Sequence, residues 1–350
     1  MTEAVKNLLF EDCRKSCTQK QNFFDLKDRV ILMTGGTGFM GKWVAEIINY
    51  LNKSESFSTK LYLLGRNISK FKEEVPHLAD QNFIVLIEQD IRNVHDLPAD
   101  VNYIIHAAGS PDNRDHVSQP LRTLETFYKG TQAILDAASR LSQLHRIIHI
   151  SSHQVYGKNE EESVIQERFL GKVELGSVNN VYAESKRAAE MLCLIYRNQF
   201  KLPILTVRPF SFIGPYHDLE KPWAINNFIR DGLLGGPIRI LGNGSTIRTY
   251  LYGSDVASWI LQMLTCGQNG ETYNLGSSNA ISLDELAQKI RYSINPGIEI
   301  ISKSSRENYT SFSKLIPDVT KITNALNTEE IYTLDEAINR TIVWNQLIRN

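Results

Sequence analysis

One stretch constrains the fold more than any other: Arg29-Val-Ile-Leu-Met-Thr-Gly-Gly-Thr-Gly-Phe-Met-Gly-Lys-Trp43. Val30, Ile31, Leu32 and Met33 form an apolar run of the length a buried parallel strand needs. Beyond the glycines, Val44, Ala45, Ile47, Ile48 and Leu51 recur at helical spacing. Strand, glycine turn and helix in that order open a dinucleotide-binding βαβ unit. One glycine permits the tight turn and another lets backbone approach a pyrophosphate. The last lets the helix sit close to the strand, with its N-terminal N–H groups facing the phosphates. The spacing Gly35-x-x-Gly38-x-x-Gly41 is one residue wider than the ordinary fingerprint. Its weight therefore comes from its place between a strand and a helix.

The strands that follow predict an α/β fold, a Rossmann-type doubly wound parallel sheet. Lys60–Leu64 is the second strand, Phe83–Ile87 the third, Val101–Ile105 the fourth and Arg146–Ile150 the fifth, with a helix over Leu124–Leu141. The chain has 350 residues. It divides into a leader (1–27), an NAD(P)-binding domain (28–208) and a smaller C-terminal α/β lobe (209–350), parts of which return to the sheet. Leu8, Leu9, Phe10, Phe23, Phe24 and Leu26 suit the leader for packing rather than chemistry. A net charge of −1 and a pI near 6.7 give no footprint for nucleic acid. No apolar run reaches membrane-spanning length and no signal peptide is visible. Four cysteines make no disulfide framework, so a reducing, cytoplasmic location is expected. Cys13 and Cys17 share a helix face, but no His or Cys pair completes a metal site.

The end of the second strand bears on the cofactor. An NAD enzyme places an Asp or Glu about 20 residues beyond the glycines for the ribose 2′-OH. Here Gly65 and then Arg66 stand in that region. A missing carboxylate with an arginine beside it suits NADP(H) over NAD(H). After the third strand, Asp90 reads either as an acceptor for an adenine amino group or as a helix cap. His106 reads as structural, and Ala107-Ala108-Gly109 are small residues where backbone passes near a cofactor. Tyr182 and Lys186, at i and i+4, share one helix face. A lysine there favours the phenolate and lowers the tyrosine pKa toward the operating pH. Asp255 reads as a cap or a ligand, and Gly242-Asn243-Gly244 as a turn.

Taken together, these motifs resemble an extended short-chain dehydrogenase/reductase of the nucleotide-sugar epimerase/dehydratase group, from about residue 28 to Trp344. The matching segments are Thr34–Gly41, His106–Gly109, Ser151–Gly157, Tyr182–Glu190, Arg208–Pro215 and Ile240–Arg248. The resemblance implies that Ser152, Tyr182 and Lys186 are catalytic. It implies a cofactor site of Gly35, Thr37, Gly38, Phe39, Met40, Gly41, Arg66, Asp90, Ile91, Ala107, Ala108, Gly109 and Pro209, with Tyr182 and Lys186. It places Ser152, His153, Asn227 and Arg248 against a nucleotide-diphosphate sugar, with Arg248 on the diphosphate. It also implies a homodimer through the helices near 124–141 and 182–199.

Two departures stand out. Phe127 occupies the place where the family usually carries an Asn, three residues before Gly130-Thr131. At the end of the fifth strand, Ser152, His153 and Gln154 replace the acid-bearing triplet of the 4,6-dehydratases. An amide is no general base at neutral pH; His153 either shapes the pocket or stands in for the acid. Without elimination, hydride transfer at C4 remains. A 4-ketoreductase is the first expectation and a 4-epimerase with retained cofactor the alternative. A 4,6-dehydratase and a non-catalytic dinucleotide sensor are the remaining possibilities.

Overall fold

A computed structural model describes residues 1–157, 164–172, 174, 176–242, 244–302 and 313–349. Seven strands form the central sheet: β1 Val30–Thr34, β2 Lys60–Gly65, β3 Ile84–Glu88, β4 Tyr103–His106, β5 Arg146–Ile150, β6 Ile204–Pro209 and β7 Thr272–Leu275. Every neighbouring pair is parallel, in the order β7-β6-β5-β4-β1-β2-β3. The order reverses between β1 and β4. A crevice at the carboxyl ends of the strands at such a switch point is where doubly wound sheets take ligands. The third and fourth strands lie one and two residues later than the apolar runs suggest, because pairing rather than hydropathy sets their ends.

Alternation along β1 sorts the core. Ile31 and Met33 face one side and Leu32 the other, all fully buried. On the first side lie α1 (Glu3–Ser16), α2 (Phe39–Glu55) and a later helix, Gly253–Cys266. On the second lie α3 (Pro120–Ala138) and α4 (Val181–Phe200), packed on each other. Helix α3 starts four residues before the predicted Leu124, because Pro120 at its first turn gives up no needed N–H.

The chain after β6 supplies α5 (Ala224–Leu233), α6 (Gly253–Cys266), α7 (Leu283–Ile294) and α8 (Leu334–Arg349); α6 returns to the first face of the sheet, while α5, α7 and α8 pack on one another. Ile238–Ile240 pairs with Ile300–Ser302, and Phe212–Ile213 with Leu251–Tyr252. Helix α6 is buried over most of its length, which suits its run of apolar residues. The turn expected at Gly242–Gly244 includes Asn243, which lies outside the described residues.

Residues 3–26 form α1 and a 3-10 turn, Lys20–Leu26, that bury Val5, Leu9, Cys13, Cys17, Phe23 and Leu26. A polar network holds them. Arg340 of α8 pairs with the buried Asp12, and the Tyr252 hydroxyl donates to Asp12 at 2.8 Å. Ser16 donates to Asp255 at 2.6 Å. Asp255 is neither cap nor ligand, since it also accepts the backbone N–H groups of Ile331 and Tyr332, each at 3.1 Å. Among the described residues no cluster of three or more metal-ligating side chains occurs, and no helix is long and apolar enough to cross a membrane.

Candidate active site at the switch point

The glycine turn is shaped for a close-lying ligand. Gly35 has φ +68, where side chains are strained, and a Cβ there would lie 2.7 Å from the Ala107 carbonyl oxygen. A Cβ on Gly41 would collide with the backbone of Gly36, so the helix sits hard on the turn. Gly38 is the N-cap of α2 and offers no side chain to its first-turn N–H groups. Those groups and the helix dipole remain free for a phosphate. Thr34 ties the two strand ends together, its hydroxyl accepting from the N–H groups of Ala107 (3.1 Å) and Ala108 (3.2 Å). The same hydroxyl donates to His106 Nδ1 at 2.8 Å, and His106 Nε2 donates to Thr131 at 2.9 Å. Burial pushes His106 down to about 3, so it stays neutral and structural. This cradle fits a dinucleotide.

At the cradle's edge, Thr37 packs close against Gly65, where a side chain would meet its Oγ1 and Cγ2. Phe39 is turned outward onto Phe212 and His217, at 6.2 and 4.3 Å between ring centres, and Met40 packs on the core. Arg66 is exposed at the end of β2. Asp90 is a cap: it accepts from Arg92 N at 2.9 Å and is gripped by the Arg92 guanidinium at 2.8 and 3.0 Å. The Arg92 hydrogen bonds hold its carboxyl down at about 2. Its oxygens are thus already engaged, contrary to an open acceptor for adenine. Ile91 is buried beneath Gly130.

The three catalytic candidates meet at the carboxyl end of β5. Ser152 caps the 3-10 turn His153–Tyr156, its hydroxyl accepting from Gln154 N at 3.2 Å, and the same hydroxyl lies near enough to the Tyr182 phenol to favour its ionised form. Lys186 Nζ donates to the Ile150 carbonyl at 2.8 Å. Tyr182 and Lys186 are buried, at 7% and 5% exposure. Here the structure corrects the sequence. Burial pushes Tyr182 up to about 12, opposed by Ser152 rather than by Lys186. Burial likewise pulls Lys186 down to about 7, opposed first by Glu190 one turn along. Glu190 is itself held by Ser151 at 2.5 Å and by a bidentate Arg208 at 2.9 and 2.6 Å.

Phe127 shows what replaces the missing Asn. Lys186 Nζ lies 4.3 Å from the centre of its ring, a cation–π contact, and Tyr182 meets the same ring edge-on at 5.2 Å. The Phe127 ring also fills the space beside Gly109, whose φ is +136. His116 stacks flat on Tyr182, with ring centres 4.2 Å apart and planes 12° apart. The residue types gave no sign of this contact; a His preceding a helix-starting Pro is an ordinary surface pattern.

His153 Nδ1 donates to the Pro209 carbonyl at 3.2 Å, and burial pulls its pKa down to about 4. It is therefore neutral at working pH, with Nε2 as an acceptor, and does not stand in for an acid. Arg248 lies near enough to disfavour its charge. Arg248 spends Nη1 on Ile247 O (2.7 Å) and Ser313 O (3.1 Å), leaving the rest of its fork for other partners. Asn227, on α5, is half-buried, while its neighbour Asn226 is buried and bonded to Asp218 O at 2.8 Å.

The fold and the site together define a dinucleotide-binding α/β protein with a Ser-Tyr-Lys centre. The family model described as NAD dependent epimerase/dehydratase matches residues 31–276, and the chain belongs to that family. UDP-glucuronic acid decarboxylase 1 of Xenopus tropicalis is 28% identical over 346 residues, covering 98% of this chain and 78% of the relative. UDP-N-acetyl-alpha-D-glucosaminuronate decarboxylase of Bacillus cytotoxicus is 28% identical over 326 residues, covering 91% and 98%. The structure of UDP-glucuronic acid 4-epimerase from Bacillus cereus, with UDP-glucuronic acid and NAD, superposes with a TM-score of 0.77 at 22% identity, covering 91% of this chain and 99% of that one. At that identity the likeness is one of fold.

Proposed function

We propose that this chain is an oxidoreductase acting at C4 of a nucleotide-diphosphate sugar, and that it reduces a 4-keto sugar. The observation that carries the reading is the gathering of Ser152, Tyr182 and Lys186 at the end of β5, with Lys186 Nζ 5.9 Å from the centre of the Tyr182 ring. A reduced nicotinamide, when bound, supplies the hydride. Tyr182 gives its proton to the oxygen that becomes charged, and Ser152 holds that oxygen. Lys186 steadies the charge on the tyrosine side and keeps an N–H for a ribose hydroxyl. Gln154 is an amide and His153 is neutral, so the pair that removes water in a dehydratase is not supplied. Arg248 and Asn227 are assigned to the diphosphate and base. Exposed Arg66, Gly65 in the carboxylate's place and an Asp90 already neutralised by Arg92 favour NADP(H).

A 4-epimerase with retained cofactor is the second reading. It is favoured by the walling of Tyr182 and Lys186 with Phe127 and His116, since a proton returned to the same oxygen needs no route to water. The test mixes purified protein with NADPH or NADH and UDP-4-keto-6-deoxy-glucose, then with UDP-glucose and UDP-glucuronic acid. Stoichiometric NADPH loss with the keto sugar supports the reductase. Interconversion of plain nucleotide hexoses without cofactor loss makes it an epimerase. Release of CO2 from the uronic acid, or of a 4-keto-6-deoxy sugar from UDP-glucose, overturns both.

The working unit is proposed to be a homodimer. Leu121, Leu124 and Tyr128 on α3 and Met191, Leu194 and Ile195 on α4 leave adjoining apolar side chains exposed. Sedimentation of a Leu121→Glu, Met191→Glu variant is expected to give a monomer; an unchanged mass rejects this interface.

A further inference from the structure

The loop after β4 carries a short helix, Asn113–Ser118, that the reaction scheme leaves unused. Asp112 caps it through Arg114 N at 3.0 Å and binds the Arg114 side chain at 3.1 and 2.8 Å. From across the crevice, Lys221 Nζ donates to the same Asp112 carboxylate at 3.1 Å. Arg114 returns the contact, with Nη2 donating to the Glu220 carbonyl at 3.3 Å. Residues 112–114 and 220–221, on opposite banks, are thus tied twice. One turn beyond Asp112 stands His116, 3% exposed. Its Nε2 donates to the Ser110 carbonyl at 2.7 Å, and its ring is the one stacked on Tyr182.

We propose that His116 is a positioning residue for Tyr182 and that the Lys221–Asp112 tie sets His116, so that closure of the crevice and orientation of the phenol are one mechanical unit. The inference rests on the reading of Tyr182 as the proton donor. The physical basis is short and rigid. Asp112 and His116 are one helical turn apart, about 6 Å along the axis, so neither end of the helix tilts without the other. A flat stack fixes the plane of the phenol ring, and the Ser110 tether fixes the plane of the imidazole. A displacement of about 1 Å at a reacting atom costs on the order of 100-fold in rate. Phenylalanine in place of His116 keeps the stack and loses the tether; alanine loses both.

The experiment has two arms. In the first, hydrogen–deuterium exchange is followed on the full chain without substrate, for wild type, Lys221→Ala and His116→Ala. Lys221→Ala is expected to raise exchange both in 110–118 and in 182–188, and His116→Ala in 182–188. Faster exchange confined to 110–118 in Lys221→Ala overturns the coupling whatever the reaction proves to be. In the second arm, kcat and KM are measured with NADPH and UDP-4-keto-6-deoxy-glucose, with Tyr182→Phe alongside. His116→Ala is expected to lose roughly 30- to 100-fold in kcat with KM within about twofold. His116→Phe recovers most of that loss, and Lys221→Ala, His116→Ala together are no slower than His116→Ala alone. Multiplying losses in the double variant overturn the proposal. Full activity in Tyr182→Phe, or no turnover by wild type, rejects the reading of the tyrosine instead, and the exchange arm still decides the coupling.

Discussion

Asp12 in α1 and Lys186 in α4 are both charged side chains taken out of water, and the molecule provides for them differently. Asp12 receives the Arg340 guanidinium and the Tyr252 hydroxyl, and its neighbour Asp255 receives one hydroxyl and two backbone N–H groups. Lys186 receives one carbonyl and the face of Phe127. The first region pairs its charges with side chains and backbone of the protein itself, so its polar groups act as fasteners. The second is left under-filled, with donors of Lys186, the Tyr182 phenol and His153 Nε2 open to atoms that a ligand brings. Burial shifts pKa values in both. Only in the second do the shifted groups face the crevice where chemistry is possible.

This contrast breaks first at Tyr182. Tyr182→Phe removes a proton donor, and kcat should fall about 1,000-fold while cofactor binding, followed by nicotinamide fluorescence, stays within a few-fold. The mirror substitution in the fastened region is Arg340→Met. It strands the buried Asp12 and should cost about 3 kcal/mol in urea unfolding, while per-molecule activity of the folded fraction is kept. Activity lost in step with stability would erase the distinction between the two regions.

A pH series sharpens it further. Burial raises Asp255 from 3.8 to about 7. Between about pH 4 and 7 the folded chain therefore holds a proton that the unfolded chain has lost. This contribution to stability is full below about pH 4 and fades as pH rises through 7, with a slope of at most about 1.4 kcal/mol per pH unit. Asp255→Asn should flatten that slope relative to wild type in unfolding midpoints taken from pH 4.5 to 7.5; parallel slopes would refute the assignment. The smallest effect is expected for Glu190→Gln. Glu190 raises the Lys186 pKa, so its removal should move the Lys186 limb of the rate profile toward acid, and a limb that stays put removes Glu190 from the tuning.

What the sequence disclosed follows from distance along the chain. The glycine turn lies within fifteen consecutive residues, Arg29 to Trp43, and Tyr182 and Lys186 are one helical turn apart; such patterns are local and were legible. The first five parallel strands were legible as apolar runs for the same reason, whereas Ile204–Pro209 and Thr272–Leu275, which complete the sheet, were not read from the sequence. The direction of the Tyr182 pKa was not, because it is set by burial under His116 and Phe127, 66 and 55 residues upstream. Asp255 was undecidable between cap and ligand because its partners, Ser16, Ile331 and Tyr332, lie 239, 76 and 77 residues away. Arg66 is visible as a residue type, and Asp90 and Arg92 are two residues apart, but that pair comes beside Arg66 only when β2 and β3 are paired.

The Asp12–Arg340 pair also has a schedule. Its two members are 328 residues apart in the sequence. A ribosome adding roughly 5–20 residues per second needs about 15–65 s to reach the second after making the first. Through that interval α1 has been made but Val5, Leu9 and Cys13 have no finished surface to cover them, since α6 and α8 come late in the chain. Helix α1, made long before α8, is thus among the last to find its seat, and a nascent chain stalled short of α8 should present that helix to holding chaperones.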